Sequence, residues 1–388
     1  MGQRYFLAPT SQFYFCGIPF RMDVSRQCSF NCKYCFSNLR RGNRVFSSEY
    51  YDPLNFRKRI EHPNVSGIVT EWIQKKMPIH LGGMSDPFST EISTLCIKKI
   101  LDISSEYSYP IVISTKKPEA LLYMNVIQPD LHIIQVSFSV YNHSIAKVLE
   151  PYAPSPQERI NAILALAKYG YKVIARIQPF IPQFREDVLY DLIPRLIEVK
   201  VDHIILEHLK LPIEYESQKD VFSTLHQIGI EYDELFRYGK AFVGREIEIT
   251  SDAKCESIEI IKNLCNQHHI TFGAGDIGFC HFSTTQCCCG IDKYVMFDNW
   301  FKGNFSNIIK SSGGILTIDE LDKYEYPQSS IGMYVNSHSR LHSAGNTIKD
   351  FLIEKWNHPG TINAPDTYWG VSAIEDKDVN GNTIYCKK

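Results

Sequence analysis

No stretch of this 388-residue chain reaches the roughly 18 consecutive apolar residues that a membrane-spanning helix requires. The first residues, Met1-Gly2-Gln3-Arg4-Tyr5-Phe6-Leu7, lack the apolar core and small-residue cleavage site of a secretory leader. Phe6 stands where a myristoylation signal places Ser or Thr. Excess charge of one sign is missing as well. Lysines and arginines number 41 against 43 aspartates and glutamates, so the net charge of −2 supplies no global attraction to nucleic acid or to an anionic membrane. Internal repeats and low-complexity tracts are absent. So are a Gly-x-Gly-x-x-Gly fingerprint and a P-loop lysine, Gly273-Ala274-Gly275-Asp276 being only a loose glycine turn. What remains is a globular composition, 44% hydrophobic and 22% charged, expected in the cytoplasm and off the membrane.

Cysteine, by contrast, is plentiful. Twelve cysteines without a secretion signal point to a reducing compartment and to metal or redox roles. Three of them fall in Gln27-Cys28-Ser29-Phe30-Asn31-Cys32-Lys33-Tyr34-Cys35-Phe36, at Cys-x3-Cys-x2-Cys spacing with an aromatic residue just before the third. Three thiolates on one short loop suit three irons of a 4Fe–4S cube, which leaves the fourth iron without a protein ligand and therefore reactive. A zinc ribbon would need a second Cys-x2-Cys pair about 15–20 residues further on, and none follows. Three close cysteines also cannot all pair among themselves as disulfides.

At this length one large domain with an appended smaller one is expected. We divide the chain into an N-terminal extension over 1–19, a main domain over 20–290 and a C-terminal domain over 291–388. Apolar runs alternate with helical patterns through the first two-thirds, the signature of βα units and a parallel sheet. Strands are expected at Phe20–Val24, Ile79–Leu81, Ile111–Ser114, Ile133–Ser139, Lys172–Gln178 and His203–Glu207, with a further short one at Ile270–Phe272. Helices are expected at Ile92–Ser104, at Gln157–Tyr169 with Gly170 as its stop, at Asp220–Tyr238, Ser257–Gln267 and Ile348–Trp356. Aromatics in the tail (Tyr324, Tyr326, Tyr334, Trp356, Tyr368, Trp369) are expected to pack that region rather than to stack bases.

The cysteine spacing with Tyr34 resembles the radical S-adenosylmethionine (SAM) superfamily. The resemblance implies a partial (β/α)6 barrel, here with a smaller C-terminal α+β elaboration. It also implies a 4Fe–4S cluster on Cys28, Cys32 and Cys35 whose open iron is chelated by SAM. An electron from an external flavodoxin- or ferredoxin-type donor would then split SAM into methionine and a 5′-deoxyadenosyl radical. Further motifs are similar to the spore photoproduct lyase subgroup. They are Gly82-Gly83-Met84-Ser85-Asp86-Pro87-Phe88 with Glu91, Ser114-Thr115-Lys116-Lys117, Val136-Ser137-Phe138-Ser139, Leu149-Glu150-Pro151-Tyr152-Ala153-Pro154 with Arg159, and Arg176-Ile177-Gln178-Pro179-Phe180-Ile181-Pro182. The commoner superfamily turn ends in Glu, where this chain has Met84-Ser85-Asp86-Pro87.

By that resemblance Tyr34, Gly82, Gly83, Asp86, Lys116, Ser137, Ser139 and Arg176 surround SAM. Two glycines admit a ligand close to the backbone, serine hydroxyls reach ribose or carboxylate oxygens, and Lys116 or Arg176 neutralises the carboxylate. An ion pair of Arg176 with Glu150 or Glu207 is the rival reading, and Glu207-His208 reads as a satisfied polar pair before an acid–base pair. A nucleic acid or nucleotide substrate is expected on the subgroup analogy and on Arg40, Arg41 and Arg44 beside the cluster loop. A small molecule or peptide, or a non-catalytic iron–sulfur or zinc module, is the alternative.

A second cysteine group stands at Cys280-His281-Phe282-Ser283-Thr284-Thr285-Gln286-Cys287-Cys288-Cys289. Its readings are inert buried thiols, a zinc site using Cys280, His281 and two of the later cysteines, a second Fe–S cluster on Cys280, Cys287, Cys288 and Cys289, or a hydrogen-donating thiol, Cys280 or Cys289. Adjacent cysteines point in different directions, so at most two of Cys287, Cys288 and Cys289 are expected to ligate one centre. Cys255 and Cys265 are conceivable additional ligands. The group is expected near the barrel mouth, where strand exits gather.

Overall fold

The computed structural model describes residues 6–35, 37, 50–124, 128–213, 215–237, 239–243, 246–335 and 347–388. Arg40, Arg41 and Arg44 therefore lie outside the described residues. In chain order the strands are β1 (Leu7–Pro9), β2 (Phe20–Met22), β3 (Ile79–Leu81), β4 (Ile111–Thr115), β5 (His132–Phe138), β6 (Val173–Phe180) and β7 (His203–His208). A small sheet of β8 (Leu211–Pro212), β9 (Lys240–Val243) and β10 (Glu246–Ile249) follows, and then β11 (Thr271–Ala274) returns to pair with β7. The large sheet runs β1-β2-β3-β4-β5-β6-β7-β11, parallel throughout except for β1, which pairs antiparallel with β2. The six expected strands are all there, with ends displaced by one or two residues, and β1 and β11 add an edge on either side.

Period-two alternation sorts the strand residues onto two faces. Ile113, Val136, Ile177, Leu206 and Phe272 join the large core beneath the helices. Their neighbours Val112, Ile133, Ile174 and Ile205 face the concave side, where they meet Ile18, Cys287, Ile291 and Trp300. The helices begin where local chemistry says they should. For α1 (Glu91–Glu106), Thr90 and Ser93 form a reciprocal capping box. α2 (His143–Leu149) is capped by Asn142, and α3 (Pro156–Lys168) by Ser155 with Glu158, with Pro156 at its first position. Gly170, at φ +82°, ends α3 as expected. α4 (Ser251–Gln267) leads into β11. The single helix expected over Asp220–Tyr238 is instead two, Tyr215–Gln227 and Tyr232–Leu235. Gly229, at φ +80°, breaks the pattern between them.

Beyond the barrel, α5 (Ile348–Trp356) packs against a three-stranded antiparallel sheet of β12 (Ile315–Leu316), β13 (Val371–Lys377) and β14 (Thr383–Lys387). Trp356 Nε1 donates to the Thr383 carbonyl at 2.7 Å, and Tyr385 Oη donates to the Trp356 carbonyl at 2.6 Å. Tyr326, Trp356 and Tyr368 are buried, with Tyr324, Tyr334 and Trp369 packed against them, so the tail aromatics fill a core.

The route out of β11 decides where the second cysteine group lies. The chain turns through Ile277–Phe282 and runs back along the free edge of β11. Ala274 N–H donates to Ser283 Oγ (3.0 Å), Phe272 N–H to Thr284 Oγ1 (2.8 Å), and Thr284 N–H to the Phe272 carbonyl (2.8 Å). An open sheet edge needs such partners. The return brings Cys287–Cys289 to the N-terminal halves of the strands, the floor of the barrel, and not to the mouth where the sequence places them. His203 Nε2 donates to the Cys288 carbonyl at 2.8 Å. A Cβ on Gly273 would stand 1.8 Å from that carbonyl oxygen. Gly273→Ala is therefore expected to dislodge the floor segment and to cost about 1–3 kcal/mol or more, read as a lower midpoint in urea unfolding.

Candidate active site

At the mouth, the loop after β2 carries Cys28, Cys32 and Cys35, all half-buried and free of disulfides. Asn31 takes a left-handed conformation (φ 50°), which turns the loop back on itself, and Cys35 N–H donates to the Cys32 carbonyl at 3.1 Å. The backbone N–H groups of Phe30 and Asp86 lie near the Cys28 sulfur and favour its thiolate. Burial, with the Asp86 charge adding, still pushes the Cys28 thiol above its usual range. Burial raises Cys32 likewise, with Lys116 opposing and Glu150 reinforcing the rise. Metal coordination, which replaces the thiol proton, relieves that cost.

The loop is bolted down from behind by one carboxylate. Glu150, 2% exposed, accepts from Tyr34 Oη, from Arg159 Nη2 and from Ser139 Oγ (3.0 Å), and pairs with Lys116 Nζ at 3.5 Å. Burial alone would raise Glu150, but Arg159 and Lys116, with Tyr34 donating, bring it down to about 2. Arg159 Nη1 also donates to the Ser137 carbonyl at 2.8 Å, fixing the end of β5. Lys116 Nζ sits 5.7 Å from the centre of the Tyr34 ring. The Leu-Glu-Pro segment is thus the anchor of the cluster loop, since Lys33 N–H also donates to the Leu149 carbonyl at 2.9 Å.

The glycine turn after β3 faces the same loop. Gly82 has φ +88°, and a Cβ there would lie 2.5 Å from the Ser114 carbonyl oxygen. At Gly83 a Cβ would meet nothing closer than 3.8 Å, so its backbone stands open beside His80 and Arg21. Asp86 does not face outward. It accepts from Phe88 N–H (2.9 Å), Thr115 Oγ1 (3.0 Å) and Lys116 N–H (2.6 Å), tying the β3 and β4 exits together. Asp23 works similarly, accepting from Met84 N–H at 2.7 Å.

Deeper on the concave face runs a polar column that sequence reasoning missed. His80 Nε2 lies 2.5 Å from Ser114 Oγ, which also accepts from Gln135 Nε2 at 2.9 Å. Burial, then the charges of Arg176 and Arg21, hold His80 down at about 4, so it is neutral at pH 7. Its signal was available, because His80, Ser114 and Gln135 occupy inward positions of expected strands. Arg176 donates to Gln178 and pairs with Glu207, which also binds Lys210 Nζ at 3.1 Å. His208, on the other face, has its own partner in Asp276 at 2.7 Å. The structure therefore brings Tyr34, Asp86, Lys116 and Ser139 together with the three cysteines, while Arg176 sits lower, within electrostatic reach of Cys289, Cys288 and Cys16. Cys265 is buried in the core under the helices and Cys255 packs against it, away from both cysteine groups. The donor set at the mouth fits an iron–sulfur cluster with a small ligand: soft thiols, N–H groups near a sulfur, an open glycine backbone and a lysine.

No family model matches the sequence. An uncharacterized protein, ORF301, of Acidianus two-tailed virus is 23% identical over 188 residues, covering 47% of this chain and 49% of that protein. The chain thus spans about half the length of that relative. Among solved structures, spore photoproduct lyase complexed with dinucleoside spore photoproduct aligns with a TM-score of 0.50 at 15% identity, over 66% of this chain and 77% of that one. Streptococcus suis SuiB bound to S-adenosylmethionine aligns at 13% identity and a TM-score of 0.41, over 66% of this chain and 50% of that one. Strand order, the cysteine loop after the first parallel strand and the likeness to the lyase agree: the fold is similar to that of spore photoproduct lyase, the partial barrel that the resemblance to radical SAM proteins implies.

Proposed function

We propose that this chain is a radical SAM enzyme whose Cys28, Cys32 and Cys35 hold a 4Fe–4S cluster with one open iron. The observation that carries the reading is the cysteine loop itself, with three free thiols at a strand exit, N–H groups near the Cys28 sulfur, and Lys116 beside Cys32. When bound, the cluster supplies the electron that cleaves SAM to methionine and a 5′-deoxyadenosyl radical. The chain's own residues bind and orient. The open backbone at Gly83 receives the amino group and Ser137 offers a hydroxyl, whereas Ser139, expected from the sequence to do the same, is buried with its hydroxyl committed to Glu150. Lys116 and Arg176 supply positive charge for the carboxylate, and Asp86 holds the strand exits that present them. An external flavodoxin- or ferredoxin-type donor would provide the electron. The substrate class we put forward is a nucleic acid or nucleotide, supported by Arg40, Arg41 and Arg44 after the cluster loop and by the dinucleoside ligand of the structural neighbour.

Anaerobic reconstitution with iron, sulfide, SAM and dithionite tests the reading. Release of 5′-deoxyadenosine is expected, with turnover stimulated by oligonucleotides in preference to peptides. Absence of cleavage with a full complement of iron would make the chain a binding module instead. A finer test concerns Arg176. Arg176→Ala is expected to weaken SAM binding by about 1.5–3 kcal/mol, the range for a charged hydrogen bond. Unchanged affinity in equilibrium dialysis would confine Arg176 to its ion pair with Glu207.

A further inference from the structure

The floor of the barrel gathers five thiols that the reading above does not use. The sulfurs of Cys287, Cys288 and Cys289 all lie within 4.8 Å of one another, so three converge where their adjacency led us to expect two at most. A small closure would bring them to the spacing of ligands around one ion: the Cys288 and Cys289 sulfurs stand 4.0 Å apart, and four thiolates about 2.3 Å from a tetrahedral centre stand under 4 Å apart, whereas a cube spreads its ligands over separate irons. Two more cysteines approach. Cys16 packs against the cluster that holds Cys287 and Cys289, and both Cys16 and Cys280 lie within electrostatic reach of Cys288. Their surroundings differ. Cys280 Sγ donates to the Ile277 carbonyl at 3.4 Å and the Asp276 carbonyl at 3.6 Å, an environment that suits a protonated thiol. Cys16 Sγ accepts the N–H of Ile18 at 3.3 Å, a contact that a metal-bound sulfur can keep, while burial pushes the free thiol up to about 12. Gly17 lets that turn close on the group, since a Cβ there would lie 2.7 Å from Cys287 Sγ. His281 is not placed among the ligands; its ring packs 4.4 Å from that of Phe282.

We propose that Cys16, Cys287, Cys288 and Cys289 bind a single tetrahedral thiophilic ion of the zinc class at the barrel floor. Four thiols release their protons on binding, and the guanidinium of Arg176 lies nearby to offset the net negative charge of the filled site. With four protein ligands the site is closed, so its role is structural rather than catalytic. It fastens the segment before β2 to the segment that returns from β11. Among the described residues no disulfide joins the two segments, and the ion closes the floor between them.

The test starts from the full-length Cys28→Ala/Cys32→Ala/Cys35→Ala variant, in which iron bound at the mouth is removed. Elemental analysis of anaerobically purified protein is expected to find about one zinc-class ion per chain and no acid-labile sulfide. In the same background Cys16→Ser is expected to lose that ion, whereas Cys280→Ser keeps it. Cobalt(II) exchanged into the site should give the intense visible bands of a tetrahedral thiolate centre, and Cys280→Ser serves as the folded control. Should the triple variant not fold, unsubstituted protein reconstituted at the mouth should contain about four irons and one zinc-class ion. No bound metal, a second set of four irons with sulfide, or loss of metal in Cys280→Ser but not in Cys16→Ser would overturn the proposal. Each readout is independent of SAM cleavage, so failure here and failure of the proposed enzymatic activity are separable.

Discussion

Replacing Cys28, Cys32 and Cys35 together by alanine is expected to abolish SAM cleavage and remove the iron bound at the mouth, with the fold retained. The loop's position depends on other contacts. Lys33 N–H binds the Leu149 carbonyl, Tyr34 Oη binds Glu150, and Tyr152 N–H reaches the Phe30 carbonyl at 3.4 Å. None of these uses a cysteine sulfur. The thiols are only half-buried, so trimming them to alanine removes little packing. Burial and neighbouring negative charge make free thiolates at Cys28 and Cys32 unfavourable, a cost that coordination to iron would relieve. Production of 5′-deoxyadenosine under dithionite, iron content and far-ultraviolet circular dichroism together check the expectation. Persistent cleavage without the three cysteines would sink the proposed function.

Arg159→Ala is expected to be the most damaging substitution away from the cysteines, destabilising the protein by about 3–5 kcal/mol, because it leaves a buried carboxylate without its closest cation. Lys116, at 3.5 Å from Glu150, offsets only part of that loss. Glu150→Ala should cost a similar amount, while the double replacement should cost less than the two singly, since neither charge is then stranded. The pH dependence has a definite sign. Glu150 stands at about 2 in the folded protein against an ordinary 4.5. A carboxyl lowered by folding stabilises the protein fully above its unfolded value, and this stabilisation is lost as pH falls from about 4.5 through about 2. The contribution is on the order of 3 kcal/mol at neutral pH. Urea unfolding at pH 7 and at pH 3 should therefore show a smaller difference for Glu150→Ala than for the unsubstituted chain. Because Tyr34 loses its partner, the same variant should also hold iron less tightly.

Most of the barrel was legible because its strands are long apolar runs between turn residues. Ile79–Leu81 and Ile348–Trp356 have the same bounds in sequence and structure, and Ser155-Pro156 with Glu158 marks the start of α3 without ambiguity. β1 was not legible: three residues, Leu7-Ala8-Pro9, are too few for any period, and only pairing with β2 makes them a strand. The Cys28–Cys35 motif is local in sequence, so its chemistry could be read directly. Its support could not, because Tyr34 and Glu150 are brought together from 116 residues apart. The floor cysteines were visible as a cluster but misplaced, since their position follows from the pairing of Ser283 and Thr284 with β11, a tertiary choice with no local signal. Cys16 was overlooked for the same reason. Nothing near it in sequence indicates that Gly17 closes on Cys287.

The floor has a consequence for traffic. With Ile18, Ile291, Phe297 and Trp300 packed beneath Val112, Ile133 and Ile174, the barrel is a cup and not a tube. On the proposed reading, SAM and a substrate would both approach from the side of the strand exits. Whichever lies against the glycine turn and the cysteine loop enters first and leaves last, and the larger guest above it acts as a stopper. Steady-state kinetics with both reactants varied should then follow a compulsory order, in which an excess of the outer guest slows the exchange of the inner one.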